Sequence, residues 1–157
     1  MSDDRTRQLQ DEAAAARDAV LALVDGLNSE QLDRPTTNEG WSVKDTLAHL
    51  GSIEARVRLM VQTVLDGGVW TGDRADLDAY NARYVAERRS WSGDAVIAEL
   101  RQSGQETAAV FARLTPAHLD HQWDHPIFGP MTIERTAGII ARHLRSHAEE
   151  LRAALQS

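Results

Sequence analysis

Through most of the chain apolar residues return every three or four positions, the period of an amphipathic helix. From Thr6 to Leu27 the stripe is Leu9, Ala13, Ala16, Val20, Leu23 and Leu27. Asn28 to Gly40 breaks it with turn formers and Pro35, leaving room for one helical turn at Ser29 to Leu32. Ser42 opens a second helix, its hydroxyl capping the free N–H groups, and Asp45 completes a Ser-x-x-Asp box with Trp41 as the staple before it. Val43, Leu47, Leu50, Val57, Val61 and Val64 face inward, and Gly67-Gly68 end the helix. A glycine-containing crossover, Gly67 to Asp73, leads to a shorter helix from Arg74 to Arg89 with Leu77, Tyr80, Tyr84 and Val85 on one side. Ser92 caps a third long helix carrying Val96, Leu100, Thr107, Val110, Phe111 and Leu114. After Thr115-Pro116 comes a loop of roughly sixteen residues, long enough to suggest function or disorder. Thr132 then caps a fourth helix, with Ile133, Ala137, Ile140, Leu144, Leu151 and Leu155 inward.

This pattern predicts an all-α fold, a four-helix bundle with a long crossover between helices 2 and 3. At 157 residues the chain is expected to form one domain, 1–157. It contains no cysteine, so a disulfide framework, a cysteine zinc site and a thiol nucleophile are excluded. A net charge of −7 disfavours a phosphate backbone, and the expectation is no nucleic-acid partner. No stretch approaches the roughly 18 apolar residues of a membrane span, and the charged N-terminus is unlike a secretory signal. A cytoplasmic protein without a membrane partner is expected.

Histidines carry the candidate chemistry. His143 and His147 form H-x-x-x-H, about 40° apart on one helix face, a spacing that lets two imidazoles share a metal. His49 lies at the edge of the second helix's stripe, with Ile53 and Met60 beside it, so a third ligand from a facing helix is geometrically reasonable. On an arbitrary helix such a pair is more often surface or partly buried than ligating. Leu144 stands where H-E-x-x-H peptidases place their general base, which disfavours a peptidase.

The string Gly40-Trp41-Ser42-Val43-Lys44-Asp45-Thr46-Leu47-Ala48-His49-Leu50, followed roughly ninety residues later by the terminal H-x-x-x-H, resembles the DinB-like superfamily pattern. The likeness runs over nearly the whole chain, including Asn81 to Ser90 and the Thr132 helix start. It implies that His49, His143 and His147 bind one divalent transition metal, commonly zinc or nickel, in a bundle that typically forms a homodimer. Three neutral imidazoles suit such ions and leave an open position, where a metal can make a nucleophile of a bound water or thiol. The mycothiol- and bacillithiol-dependent transferases of the superfamily resemble this design, and a chain without cysteine must borrow its thiol.

The expected function is therefore a metal-dependent S-transferase that activates a low-molecular-weight thiol for attack on an electrophilic small molecule. The alternative is a non-catalytic small-molecule-binding or stress-response bundle dimer. Maleylpyruvate isomerisation is not expected: the isomerases of the superfamily have a carboxylate where His143 stands, and a further C-terminal domain for which this chain lacks the length.

Other residues are weighed against plainer roles. Asp45 can hydrogen-bond the His49 ring, though capping explains it as well; Glu150 can reach the site, though a solvated Glu beside Arg142 or Arg145 is the safer reading. Trp41 is a pocket candidate. Arg88 and Arg89 can receive an anionic thiol or a substrate carboxylate, against the favoured reading of a solvated helix end. Trp70, Trp123 and Phe128 can wall a pocket, with core or dimer packing as good an account of each. His118, His121 and His125 read as exposed or loop-packing. Ile53, Met60, Val69, Ile97 and Phe111, off the main stripes, are offered to a dimer interface.

Overall fold

The computed structural model describes residues 4–156. Its elements are α1 (Asp4–Val24), α2 (Ser29–Leu32), α3 (Val43–Leu65), α4 (Arg74–Arg88), α5 (Gly93–Phe111), α6 (Pro116–Asp120), β1 (Gln122–His125), β2 (Gly129–Thr132), α7 (Ile133–Ala137) and α8 (Ile139–Gln156). The four-helix bundle is α1, α3, α5 and α8. Among the described residues no helix is long and apolar enough to cross a membrane.

The bundle is cyclic: α1 and α3 each pack against both α5 and α8. Directions follow from side chains that cross between helices. The start of α1 meets the end of α5, where Thr6 Oγ1 donates to the Leu114 carbonyl at 3.4 Å, so these two are antiparallel. Lys44 at the start of α3 donates to the carbonyls of Arg89 and Trp91, just ahead of α5, and Arg58 further along donates to the Ser103 carbonyl at 3.0 Å. Helices α3 and α5 are therefore parallel. The order up-down-down-up requires the second connection to travel the full length of the bundle, and α4 makes that return journey packed on α3.

Most stripes are buried where the periodicity puts them. In α3, Val43, Leu47, Leu50, Val57, Val61 and Val64 all lie in the core, and Ser42 and Asp45 exchange the two capping hydrogen bonds at 3.1 Å. The first helix stops at Val24 rather than Leu27 because the chain turns at Gly26, whose φ of 72° suits glycine. Val24 is then its last buried contact, with Leu23 and Leu27 only partly covered.

The long third connection is not structureless. Thr115 caps α6, and β1 pairs antiparallel with β2, Trp123 opposite Met131. Strands of four residues with Pro130 in the second are too short to show alternation. Thr132 caps only α7, and a break at Gly138 separates it from α8. Of the residues offered to a dimer interface, Phe111 is in the core, Ile97 packs against it, Ile53 and Met60 line a cavity, and Val69 stays exposed.

Polar residues cross the middle of the bundle. Arg17 of α1 pairs with Glu54 of α3, both buried, and Thr107 Oγ1 of α5 donates to the same Glu54 oxygen at 2.6 Å. Beside them Arg58 donates to Ser103 Oγ at 2.7 Å and to Glu106 at 2.6 Å. Arg17 has space because residue 104 is glycine: a Cβ there would sit 2.6 Å from Arg17 Nε.

Candidate metal centre

The site grows out of the contact between α3 and α8. Leu47 and Leu50 on one helix, and Ile140, Leu144 and Leu151 on the other, are in the core, which leaves His49, His143 and His147 at the shared edge of the two stripes. One ligand nitrogen from each ring can be chosen so that all lie within 4.8 Å of one another. Ring centroids are 4.7 Å apart for His49 and His143, 5.1 Å for His49 and His147, and 4.5 Å for His143 and His147.

Burial, and secondarily the neighbouring His147, pushes the His49 pKa down to about 3. For His143 burial, then His49 and His147, push it down to about 2. Both rings are thus held neutral, the form that ligates a metal. The Nε2 atoms of His49 and His143 are 3.0 Å apart. Two nitrogens bonded to one ion at about 2.0–2.1 Å stand roughly 3.0–3.4 Å from each other, so the observed spacing fits a shared cation. His147 Nδ1 lies 2.7 Å from Glu150 Oε2; with the proton on Nδ1, donated to the carboxylate, Nε2 keeps its lone pair for a ligand. Glu150 is therefore engaged with the histidine cluster rather than solvated beside Arg142 or Arg145. Replacing it with alanine should weaken metal binding about 10- to 100-fold, the usual cost of losing such a partner, as read by competition with a chromophoric chelator.

The other candidate residues divide. Trp41 lies against His49, ring centroids 4.8 Å apart and planes at 55°. Asp45 does not reach the His49 ring: its carboxylate serves the α3 cap and contacts Arg89 at 3.4 Å, and His49 Nδ1 is left buried without a hydrogen-bond partner. Arg88 is neither solvated nor available to an anion. It forks onto Glu99 at 2.6 and 2.7 Å and packs over the faces of Tyr84 and Trp91. His118 closes the α6 capping box, and His121 is exposed.

A cavity of about 250 Å³ opens beside His49 and His143. Ile53, Val57 and Met60 of α3, Leu77 of α4 and Ile139 of α8 give it an apolar floor, and Trp70 of the crossover with Ile127 and Phe128 of the hairpin turn give it walls. Trp123 instead packs against the core and donates to Thr136 Oγ1 at 2.9 Å. The polar lining that sequence reasoning missed is Arg56, Arg74, Asn81 and His125. A signal for Arg56 was present: His49, Ile53, Arg56 and Met60 follow one another by four, three and four residues, one face of one helix. Arg74 and His125 reach the cavity from the connections, where periodicity says nothing.

The DinB superfamily profile matches residues 12–151. The chain belongs to the DinB superfamily. Solved structures of the same fold include YfiT from Bacillus subtilis, a probable metal-dependent hydrolase with an unusual four-helix bundle topology. It has a TM-score of 0.70 at 15% identity, covering 99% of this chain and 90% of that one. The mycothiol-dependent maleylpyruvate isomerase aligns with a TM-score of 0.75 at 12% identity over 93% of this chain and 60% of its own. The colibactin self-resistance protein ClbS, crystallised in complex with double-stranded DNA, gives 0.78 at 13% identity over 95% and 94%. That complex overturns the expectation that nucleic acid is no partner, since a protein of the same fold is seen bound to it. Net charge averages over a whole surface, whereas a phosphate backbone meets only the part it touches.

Proposed function

We propose that this DinB protein is a metal-dependent enzyme in which His49, His143 and His147 hold one divalent transition metal, zinc or nickel suiting the donor set. Its reaction is the transfer of a low-molecular-weight thiol, of the mycothiol or bacillithiol type, to an electrophilic small molecule. The observation that carries the reading is the convergence of three imidazoles from two helices, two of them at the wall of an apolar cavity. When bound, such a metal holds a thiol as its thiolate near neutral pH.

The chain's own residues do the rest. Glu150 fixes the tautomer of His147, and Trp41 covers one face of His49. The apolar floor excludes water from the reacting sulfur and carbon, which favours attack by thiolate over hydrolysis. In the net reaction a sulfur–carbon bond forms, the leaving group departs with the bond's electron pair, and the thiol proton passes to solvent. The neighbours that are a mycothiol-dependent isomerase and a probable metal-dependent hydrolase support metal- and thiol-linked chemistry on this fold.

The test is incubation of the zinc- or nickel-loaded protein with monochlorobimane and, in separate reactions, mycothiol, bacillithiol, glutathione and cysteine. Release of chloride and growth of bimane fluorescence should depend on metal and favour one thiol by about tenfold or more. Equal rates with and without protein for every thiol would remove the transferase reading and leave a non-catalytic binding module.

A further inference from the structure

Beside Asn81, whose Oδ1 is buried without a partner, the polar side of the cavity holds donors that have no acidic partner. Arg56, partly buried on α3, lies between two aromatic faces, its guanidinium carbon 5.1 Å from the Trp70 ring centre and 4.8 Å from that of Tyr80. Tyr80 is itself pinned, its hydroxyl donating to the Ser52 carbonyl at 3.0 Å. Arg74, at the start of α4, lies 5.8 Å over the Phe128 ring. Among the described residues neither arginine makes an ion pair, and no Asp or Glu lines the cavity. Asp73 and Asp76, which flank Arg74 in the chain, accept from each other's backbone N–H groups in the α4 capping box and form no ion pair with either arginine.

His125 adds a third donor. It is buried, and its Nδ1 accepts hydrogen bonds from the backbone N–H groups of Ile127 and Phe128 at 3.0 and 3.2 Å. Two donors on one ring nitrogen force the proton of the neutral ring onto the other, so Nε2 carries N–H, and among the described residues it has no acceptor. A partly buried guanidinium without a counter-ion is costly. In a chain of net charge −7, two arginines at one cavity with no carboxylate in its lining form a local positive patch.

We infer that the cavity receives a small aromatic or similarly flat apolar molecule bearing a carboxylate, which seats on Arg56, Arg74 and the Nε2–H of His125. The body of the ligand then lies between Trp70 and Phe128, and its far end meets the histidine cluster. Planar guanidinium groups pair with carboxylates through two parallel hydrogen bonds, and aromatic packing holds them in place for it. The cavity is smaller than the roughly 300–1,000 Å³ of ordinary ligand pockets, which limits the ligand to about the size of a substituted benzoate. The inference rests on the reading of the histidines as the reacting centre only in saying what the far end meets; the carboxylate seat stands on its own residues.

The probes are 4-fluorobenzoate and its uncharged counterpart 4-fluorobenzamide, followed by fluorine NMR line broadening with wild type, Arg74→Gln, Arg56→Gln/Arg74→Gln and His143→Ala. Metal content is measured on each preparation. Benzoate should bind wild type about tenfold or more tighter than benzamide. The double variant should lose that preference, and His143→Ala should keep it whether or not it retains metal. Arg74 is exposed, so Arg74→Gln folds even if the double variant does not, and it should weaken benzoate binding alone by several-fold. Equal binding of the two probes, no binding of either, or a loss in His143→Ala matching that in the arginine variants would overturn the seat. The last result would put the carboxylate on the metal. A wild type without metal that still prefers benzoate would sink the metal reading and leave the seat intact.

Discussion

Protein purified without a metal-affinity tag should carry about one transition-metal ion per chain, and the His49→Ala protein under about a tenth of that. In the proposed site His49 is the ligand supplied by the facing helix: His143 and His147 sit one turn apart on α8, and only His49 brings a nitrogen from α3, 3.0 Å from that of His143. Without it two imidazoles on a helix edge remain, a weak chelate. The loss should come without collapse of the fold. The core residues around His49 are contributed by the rest of the α3 stripe, and removing the ring also removes a buried nitrogen that has no partner. Inductively coupled plasma mass spectrometry with circular dichroism on the same samples checks both statements. Full metal content in both His49→Ala and His147→Ala would place the ion elsewhere.

The second large effect concerns stability. Glu54→Ala should lower unfolding free energy by about 3–5 kcal/mol, because it strands the buried Arg17 guanidinium in the middle of the bundle. For a chain of this size that is a fall in Tm on the order of 10 °C. Replacing both members, Arg17→Met with Glu54→Leu, should recover most of the loss, since a well-packed apolar pair avoids the desolvation of two charges. Thermal and urea melts on the single and double variants provide the cycle. A Glu54→Ala protein within about 0.5 kcal/mol of wild type, the range of ordinary surface changes, would show that the pair is solvated after all.

These two sites were unequally legible. The histidines could be read because H-x-x-x-H is local and the bundle's stripes say which edge of each helix faces its neighbour. The Arg17–Glu54 pair could not: each is a single charge on an ordinary amphipathic helix, and only the packing of α1 on α5 at Gly104 shows that Arg17 has room to turn inward. The arginine chosen for anion binding illustrates the same limit. Arg88 and Arg56 are each a cation on a helix, and in the fold each packs against two aromatic rings. One is neutralised by Glu99 across the gap to α5, the other meets no acid, and a tertiary contact makes the difference. The hairpin escaped notice for another reason, its strands being shorter than the span over which a period of two can be told from chance.

The parts of the chain that meet at the cavity come from different classes of element. The metal-ligand candidates sit on two long helices, α3 and α8, whose positions are fixed by the core, while Trp70, Arg74, His125 and Phe128 belong to the crossover, the start of a peripheral helix and the hairpin. Connections tolerate insertion and substitution far better than packed helices do. A lineage built on this bundle can therefore exchange the walls of the cavity while the histidine cluster stays put, and grafting residues 68–74 and 125–129 from one member to another is the engineering route that this division opens.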